Sequence, residues 1–186
     1  MRDPGGLLRG RLVGVLGLVL LTALVLGAIH LVRGSDATAA SDAAEGVPGD
    51  GPKVGASAPD FRGLDLDGVP VQLEDYAGKP LWLLFQATWC SICRAELPDV
   101  EEASDRIDVV AFYMREDRDL VTDYAERMKL TIRSVPDPIG EISLTYLATS
   151  VPTHFFVDAD GVIRAVHKGA LSPAEIDEKL ALVGVA

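Results

Sequence analysis

The chain has 186 residues, 48% of them apolar, with only two cysteines and a formal net charge of −11. Residues 1–34 hold four arginines against one aspartate, so residues 35–186 carry 13 basic and 27 acidic side chains, a net of −14. Phosphate contacts need a basic footprint, which excludes nucleic acid as the main partner; the lone pair Cys90 and Cys93 excludes a small fold stapled by several disulfides.

Residues 12–32 are a run of 21 without Asp, Glu, Lys or Arg. A helix of that length is about 31 Å long, the thickness of a bilayer's hydrocarbon core. Arg2, Arg9 and Arg11 precede the run, whereas Arg33 alone follows it before Asp36, Asp42, Glu45 and Asp50. Basic residues stay inside, so 1–11 is expected in the cytoplasm, 12–32 as a transmembrane signal anchor and the rest on the periplasmic side. Ala37-Thr38-Ala39 offers a cleavable signal peptide as the alternative, although the run exceeds a usual signal core; in both cases the remainder is exported. Residues 35–52 hold one large apolar side chain, Val47. They cannot bury enough surface to offset chain entropy, so 33–53 reads as a flexible linker and 54–186 as one compact domain.

Within that domain, residues 61–73 alternate loosely around the turn Asp65-Leu66-Asp67-Gly68 and predict a hairpin. The apolar run 81–86 predicts a strand buried on both faces. After Cys90, Leu97, Val100, Ser104 and Ile107 fall at helical spacing, with Pro98 as a kink. A strand is expected over 109–114, and an amphipathic helix is marked by Leu120, Val121, Tyr124 and Met128. Asp137-Pro138 signals a turn, and a short helix is expected over 141–146. Strand 154–157 turns through Asp158-Ala159-Asp160-Gly161 into strand 162–167. Ser172-Pro173-Ala174-Glu175 then reads as a capping box opening a last helix with Ile176, Leu180 and Val183 on its buried stripe. This order predicts an α/β domain with helices on both faces of one sheet.

Trp89-Cys90-Ser91-Ile92-Cys93 falls where the buried strand gives way to a helix. Cys90 at a helix start would meet free backbone N–H groups and the positive end of the macrodipole, which favour the reactive thiolate. Cys93, one turn on, is placed to resolve a mixed disulfide. A plain stabilising cross-link is the competing reading, but so small a ring is worth only about 2 kcal/mol by loop-closure entropy. A zinc site needs four ligands, yet there is no other cysteine, and His154 and His167 each stand alone in the sequence. His154 is assigned no role.

From Val54 to about Val183 the chain resembles the membrane-tethered TlpA/ResA-like branch of the thioredoxin superfamily. The matching stretches are Val54-Gly55-Ala56-Ser57-Ala58-Pro59-Asp60-Phe61, Gly78-Lys79-Pro80 leading to Ala87-Thr88-Trp89-Cys90, Glu96-Leu97-Pro98, and Val151-Pro152-Thr153 followed by 158–163. The resemblance implies a thioredoxin-like α/β fold: a central mixed sheet, helices on both faces and an N-terminal β-hairpin. It implies a redox-active disulfide with Cys90 as nucleophile and Cys93 as resolving thiol, and no cofactor or metal. Val151-Pro152 would be a cis bond presenting Val151 to an extended substrate segment, and Trp89 would cover the disulfide. Glu96 would move protons to and from the cysteines, the more so because Leu84 stands where thioredoxins proper carry a buried aspartate.

Exported thiol or disulfide proteins such as apocytochrome c are the implied clients, and a membrane thiol carrier the implied electron donor. Ser91 and Ile92 depart from the family, in which many members carry proline before the second cysteine; these residues tune the reduction potential and leave the direction of electron flow open. Two alternatives remain. Residues 54–61 also resemble peroxiredoxins, but Leu83 and Ala87 occupy the places where a peroxidase needs Pro and Thr or Ser. A copper-delivery module would use the two thiolates for Cu(I), with His154 or His167 as the added ligand.

Overall fold

The computed structural model describes residues 51–185, together with 20–22 and 24, which are helical and exposed. The rest of the expected anchor 12–32, the segment 1–11 and most of the expected linker 33–53 lie outside the described residues. Among those described, no helix is long and apolar enough to cross a membrane.

Seven strands and four helices build the domain. Strands β1 (Arg62–Leu64) and β2 (Pro70–Gln72) pair antiparallel as the expected hairpin, followed by a 3₁₀ turn over Leu73–Tyr76. Then come β3 (Leu81–Gln86), α1 (Ser91–Ala103), β4 (Asp108–Met114), α2 (Arg118–Met128), β5 (Arg133–Asp137), α3 (Glu141–Thr145), β6 (Thr153–Val157), β7 (Ile163–Lys168) and α4 (Pro173–Leu182). The five-stranded sheet has the order β5-β4-β3-β6-β7. Strands β3, β4 and β5 run parallel, while β6 pairs antiparallel with both β3 and β7, so the sheet is mixed.

All six side chains of β3 are buried, as its unbroken apolar run demands. Trp82 and Leu84 face a core filled by α1 (Leu97, Val100, Ala103), α2 (Val121, Tyr124) and α4 (Ile176, Leu180). Leu81, Leu83 and Phe85 face the opposite core, closed by the hairpin (Phe61, Val71) and by α3 and the loop after it (Ile142, Tyr146, Ala148). The two parallel crossovers progress in one direction across the sheet, which leaves α1 and α2 on the same face. The hairpin sits tightly against β5: a Cβ at Gly63 would lie 2.6 Å from Val135 Cγ1, so no larger residue fits without displacement.

Two expectations need correction. Strand β5 is absent from the sequence reading, which placed only a turn near Asp137. Pro136 and the exposed Arg133 break any alternation there, yet at a sheet edge proline removes no ladder bond that a neighbour needs. Helix α1 runs unbroken through Pro98 but ends at Ala103; Ile107 lies beyond its cap and reaches the same core from the turn into β4. The capping box opening α4 is present, the Glu175 carboxylate accepting from the Ser172 N–H at 2.8 Å and hydroxyl at 2.6 Å.

Leu97 is 1% exposed at the centre of the α1 contact with the sheet. Leu97→Ala is expected to cost about 2–5 kcal/mol in chemical denaturation, with the transition remaining cooperative.

Candidate active site

Cys90 is the N-cap of α1. Its extended backbone turns the chain out of the loop after β3, and its Sγ accepts the Cys93 N–H at 3.1 Å. The two cysteines form a disulfide with Cα atoms 5.3 Å apart. Both are nearly buried, in a small apolar cluster with Ala87 against which Val151 packs. The Val151–Pro152 bond is cis. Its loop is held by the Thr153 hydroxyl donating to Ser150 O at 2.7 Å and the Gly169 N–H donating to Pro152 O at 2.9 Å. Trp89 and Ile92 are 70% and 51% exposed, so neither belongs to the core, and both offer apolar surface around the pair.

The loop entering α1 is anchored from the side. Buried Glu116, just beyond β4, accepts from the Thr88 N–H at 2.9 Å and from its hydroxyl at 2.7 Å. The Arg94 guanidinium donates to Thr88 O at 3.3 Å.

Glu96 lies one turn after Cys93 on the buried face of α1. One carboxylate oxygen, Oε1, accepts the Leu171 N–H at 2.8 Å, and Oε2 has no partner among the described residues. Removal from water therefore outweighs the single hydrogen bond and pushes the Glu96 carboxyl up to about 7, helped by the negative charges of Asp99 and Glu175. His154 stands across from it on β6, paired in register with Leu84, its Nε2 3.6 Å from Oε1. The place where a buried acid on β3 is missing is thus overlooked by a polar group from the adjacent strand. Burial holds the His154 imidazole down to about 3.

The structure gathers Cys90, Cys93 and Val151 directly and sets Glu96 behind them. It adds Glu116 and Thr88 and gives a place to His154, to which the sequence assigned no role in the redox chemistry. His154 could have been placed by alternation with Phe156, which faces the α1 core; Glu116 and Thr88 gave no signal, because their contact joins residues 28 apart in a charged stretch. Among the described residues, no group of three or more His, Cys, Asp or Glu side chains is arranged to hold a metal. His154 has both ring nitrogens engaged, which leaves no lone pair for Cu(I).

A mixed sheet delivering a Cys-x-x-Cys pair to a helix start, beside a cis proline, defines a thioredoxin-fold thiol–disulfide oxidoreductase. The AhpC/TSA family profile matches residues 54–166, more than half of the chain. The chain belongs to the AhpC/TSA family and is a thiol–disulfide oxidoreductase of the ResA/DsbE type. It is 32% identical over 132 residues to the thiol-disulfide oxidoreductase ResA of Geobacillus kaustophilus, covering 68% of this chain and 76% of the relative. It is 30% identical over 174 residues to the thiol:disulfide interchange protein DsbE of Xylella fastidiosa, covering 91% and 83%. Among solved structures, a DsbE-type thiol:disulfide interchange protein of Chlorobium tepidum superposes with a TM-score of 0.66 at 26% identity, over 72% of this chain and 99% of that one.

The raised Glu96 carboxyl is also a stability statement. The folded protein binds this proton more tightly than the unfolded chain, whose carboxyl has the ordinary value of 4.5. At about 1.4 kcal/mol per pKa unit, the protonated acid contributes roughly 3 kcal/mol, fully present below about pH 4.5 and lost as pH rises through about 7. Denaturation of wild type and Glu96→Gln between pH 4.5 and 8 should therefore show the variant gaining on wild type as pH rises. The difference isolates Glu96 from His154, whose contribution has the opposite sign. A constant difference would mean that folding does not raise the affinity of Glu96 for its proton.

Proposed function

We propose that the protein is a membrane-tethered protein-disulfide reductase of the periplasmic face, with residues 12–32 as uncleaved anchor, 33–53 as tether and 54–186 as working domain. Clients of the cytochrome c maturation type follow from the family resemblance. The observation that carries the catalytic reading is Cys90 as N-cap of α1, its sulfur receiving a backbone N–H, with a buried acid one turn behind Cys93. That N–H and the helix dipole favour negative charge on Cys90.

In the reductive direction, the Cys90 thiolate attacks one sulfur of a client disulfide, and the client's other sulfur leaves as a thiolate and takes up a proton. The Cys93 thiol passes its proton to the Glu96 carboxylate and attacks Cys90 Sγ. The client's second thiolate departs, two electrons having moved to the client, and the protein is left with the Cys90–Cys93 disulfide. A membrane thiol pair of the same class restores the dithiol by the reverse exchange. An extended client segment lies along Val151-Pro152, with Trp89 and Ile92 supplying apolar contact. The peroxidase alternative lacks support at the residues it needs, Leu83 and Ala87 being apolar and buried, and of the two candidate copper ligands His154 has both ring nitrogens engaged.

In cells, Cys93→Ser in the full chain should accumulate proteins disulfide-linked to Cys90, released by reductant and absent from Cys90→Ser. No trapped protein, together with failure of the reduced protein to reduce a test disulfide, would sink the reading. Glu96→Gln should slow client reduction by on the order of 10-fold to 100-fold and flatten its pH profile around 7. The protein should sediment with membranes and resist alkaline extraction, whereas a chain lacking residues 1–34 should not.

A further inference from the structure

The mechanism above makes no use of His154, although it is fully buried within 3.6 Å of the acid that the mechanism needs. Its two ring nitrogens are committed. The Trp82 indole Nε1 has only a hydrogen to offer, and it lies 3.3 Å from His154 Nδ1, so Nδ1 must present a lone pair. The ring proton is then on Nε2, which donates to Gly169 O at 3.0 Å and faces Glu96 Oε1 at 3.6 Å. We propose that His154 is a positioning residue for Glu96: the Trp82 N–H locks the imidazole in its neutral Nε2–H form, so that Glu96 faces a fixed dipole, never a counter-ion, and remains an acid that gives and takes protons. The proposal rests on the reading that Glu96 serves the cysteine pair.

The surroundings of Glu96 make this lock decisive. On its own helix it has Cys93 one turn before and Asp99 one turn after; α4 contributes Glu175, and the chain before α4 contributes the Leu171 N–H. On β7, His167 lies tilted beside His154 with ring centres 5.9 Å apart and opposes its protonation. None of the charges acting on Glu96 is a lysine or arginine. A protonated His154 would set a cation 3.6 Å from Glu96 Oε1, and an opposite charge at this range depresses a carboxylic acid by about 1–3 pKa units. Protonating Nδ1 would set two N–H groups against each other in a site without water access, which is what the tryptophan prevents. His154 is for the same reason no proton relay: the nitrogen that would accept a proton is blocked.

The test is NMR titration of the full chain in detergent, with 13C-labelled glutamate carboxyls assigned through Glu96→Gln and 15N-labelled imidazoles. In wild type, His154 should stay neutral, protonated on Nε2, from pH 5 to 8; an imidazolium or an Nδ1–H form in that range overturns the proposal without any substitution. Trp82→Phe should raise the His154 midpoint and lower that of Glu96 by about one pKa unit or more. Adding His154→Gln, which cannot become a cation, should bring the Glu96 midpoint back to the wild-type value, a rescue that a mere packing defect at position 82 would not allow. A Glu96 midpoint indifferent to Trp82→Phe, or a double variant that is not rescued, overturns it. If Trp82→Phe does not fold, His154→Leu decides: loss of the dipole should raise the Glu96 midpoint, and an unchanged value overturns the proposal. Failure of the catalytic reading would look different, as a Glu96→Gln protein that exchanges thiols at the wild-type rate and pH profile while the Glu96 midpoint still follows residues 82 and 154.

Discussion

Strand β3 is buried along its whole length, between the α1 core on one side and the hairpin core on the other. The carboxyl end of such a strand can deliver a reactive loop to the surface while everything one layer down stays dry. Dryness is what gives each remaining polar contact its weight, because the same low dielectric that strengthens a hydrogen bond makes an unmade one costly. Glu96 and Glu116 illustrate both outcomes. Glu116 receives two donors from Thr88 and serves as an anchor for the loop, whereas Glu96 receives one and is left with an oxygen that prefers to hold a proton.

The cysteine pair lies between these two regimes. From the helix side, Cys90 meets backbone dipoles that stabilise negative charge. From below, Cys93 approaches an acid whose affinity for protons falls in the neutral range. In the proposed mechanism one thiol is favoured as an anion, and the other has a proton acceptor within its own helix. The cis-proline loop closes the third side through Val151 and is itself tied to the end of β7 by the Gly169 N–H.

Much of this was legible in the sequence where periodicity and chemistry agree. The unbroken run of β3, the hairpin around Asp65–Gly68, the α4 capping box and the Cys-x-x-Cys pair with Glu96 three residues on are all local patterns. What local pattern could not supply is partnership across the fold. Strand β5 has no alternation of its own and exists because β4 and Gly63 of the hairpin leave a slot for Val135. His154 looked like a lone histidine in an apolar strand; its tautomer depends on Trp82, 72 residues earlier. The expected anchor 12–32 rests on run length and flanking arginines alone and lies almost wholly outside the described residues.

The cap of α1 has a consequence for how the helix and the chemistry share one atom. An N-cap is ordinarily a bystander, an oxygen that satisfies a backbone donor and is never consumed. Here the capping acceptor is a sulfur of the redox pair, the one proposed as nucleophile. The cap is already closed in the oxidised form, with the Cys93 N–H 3.1 Å from Cys90 Sγ. A thiolate is a stronger acceptor than a disulfide sulfur, so the same bond strengthens when Cys90 carries charge. The Cys93 amide thus reports the charge on the sulfur beside it without the helix having to move.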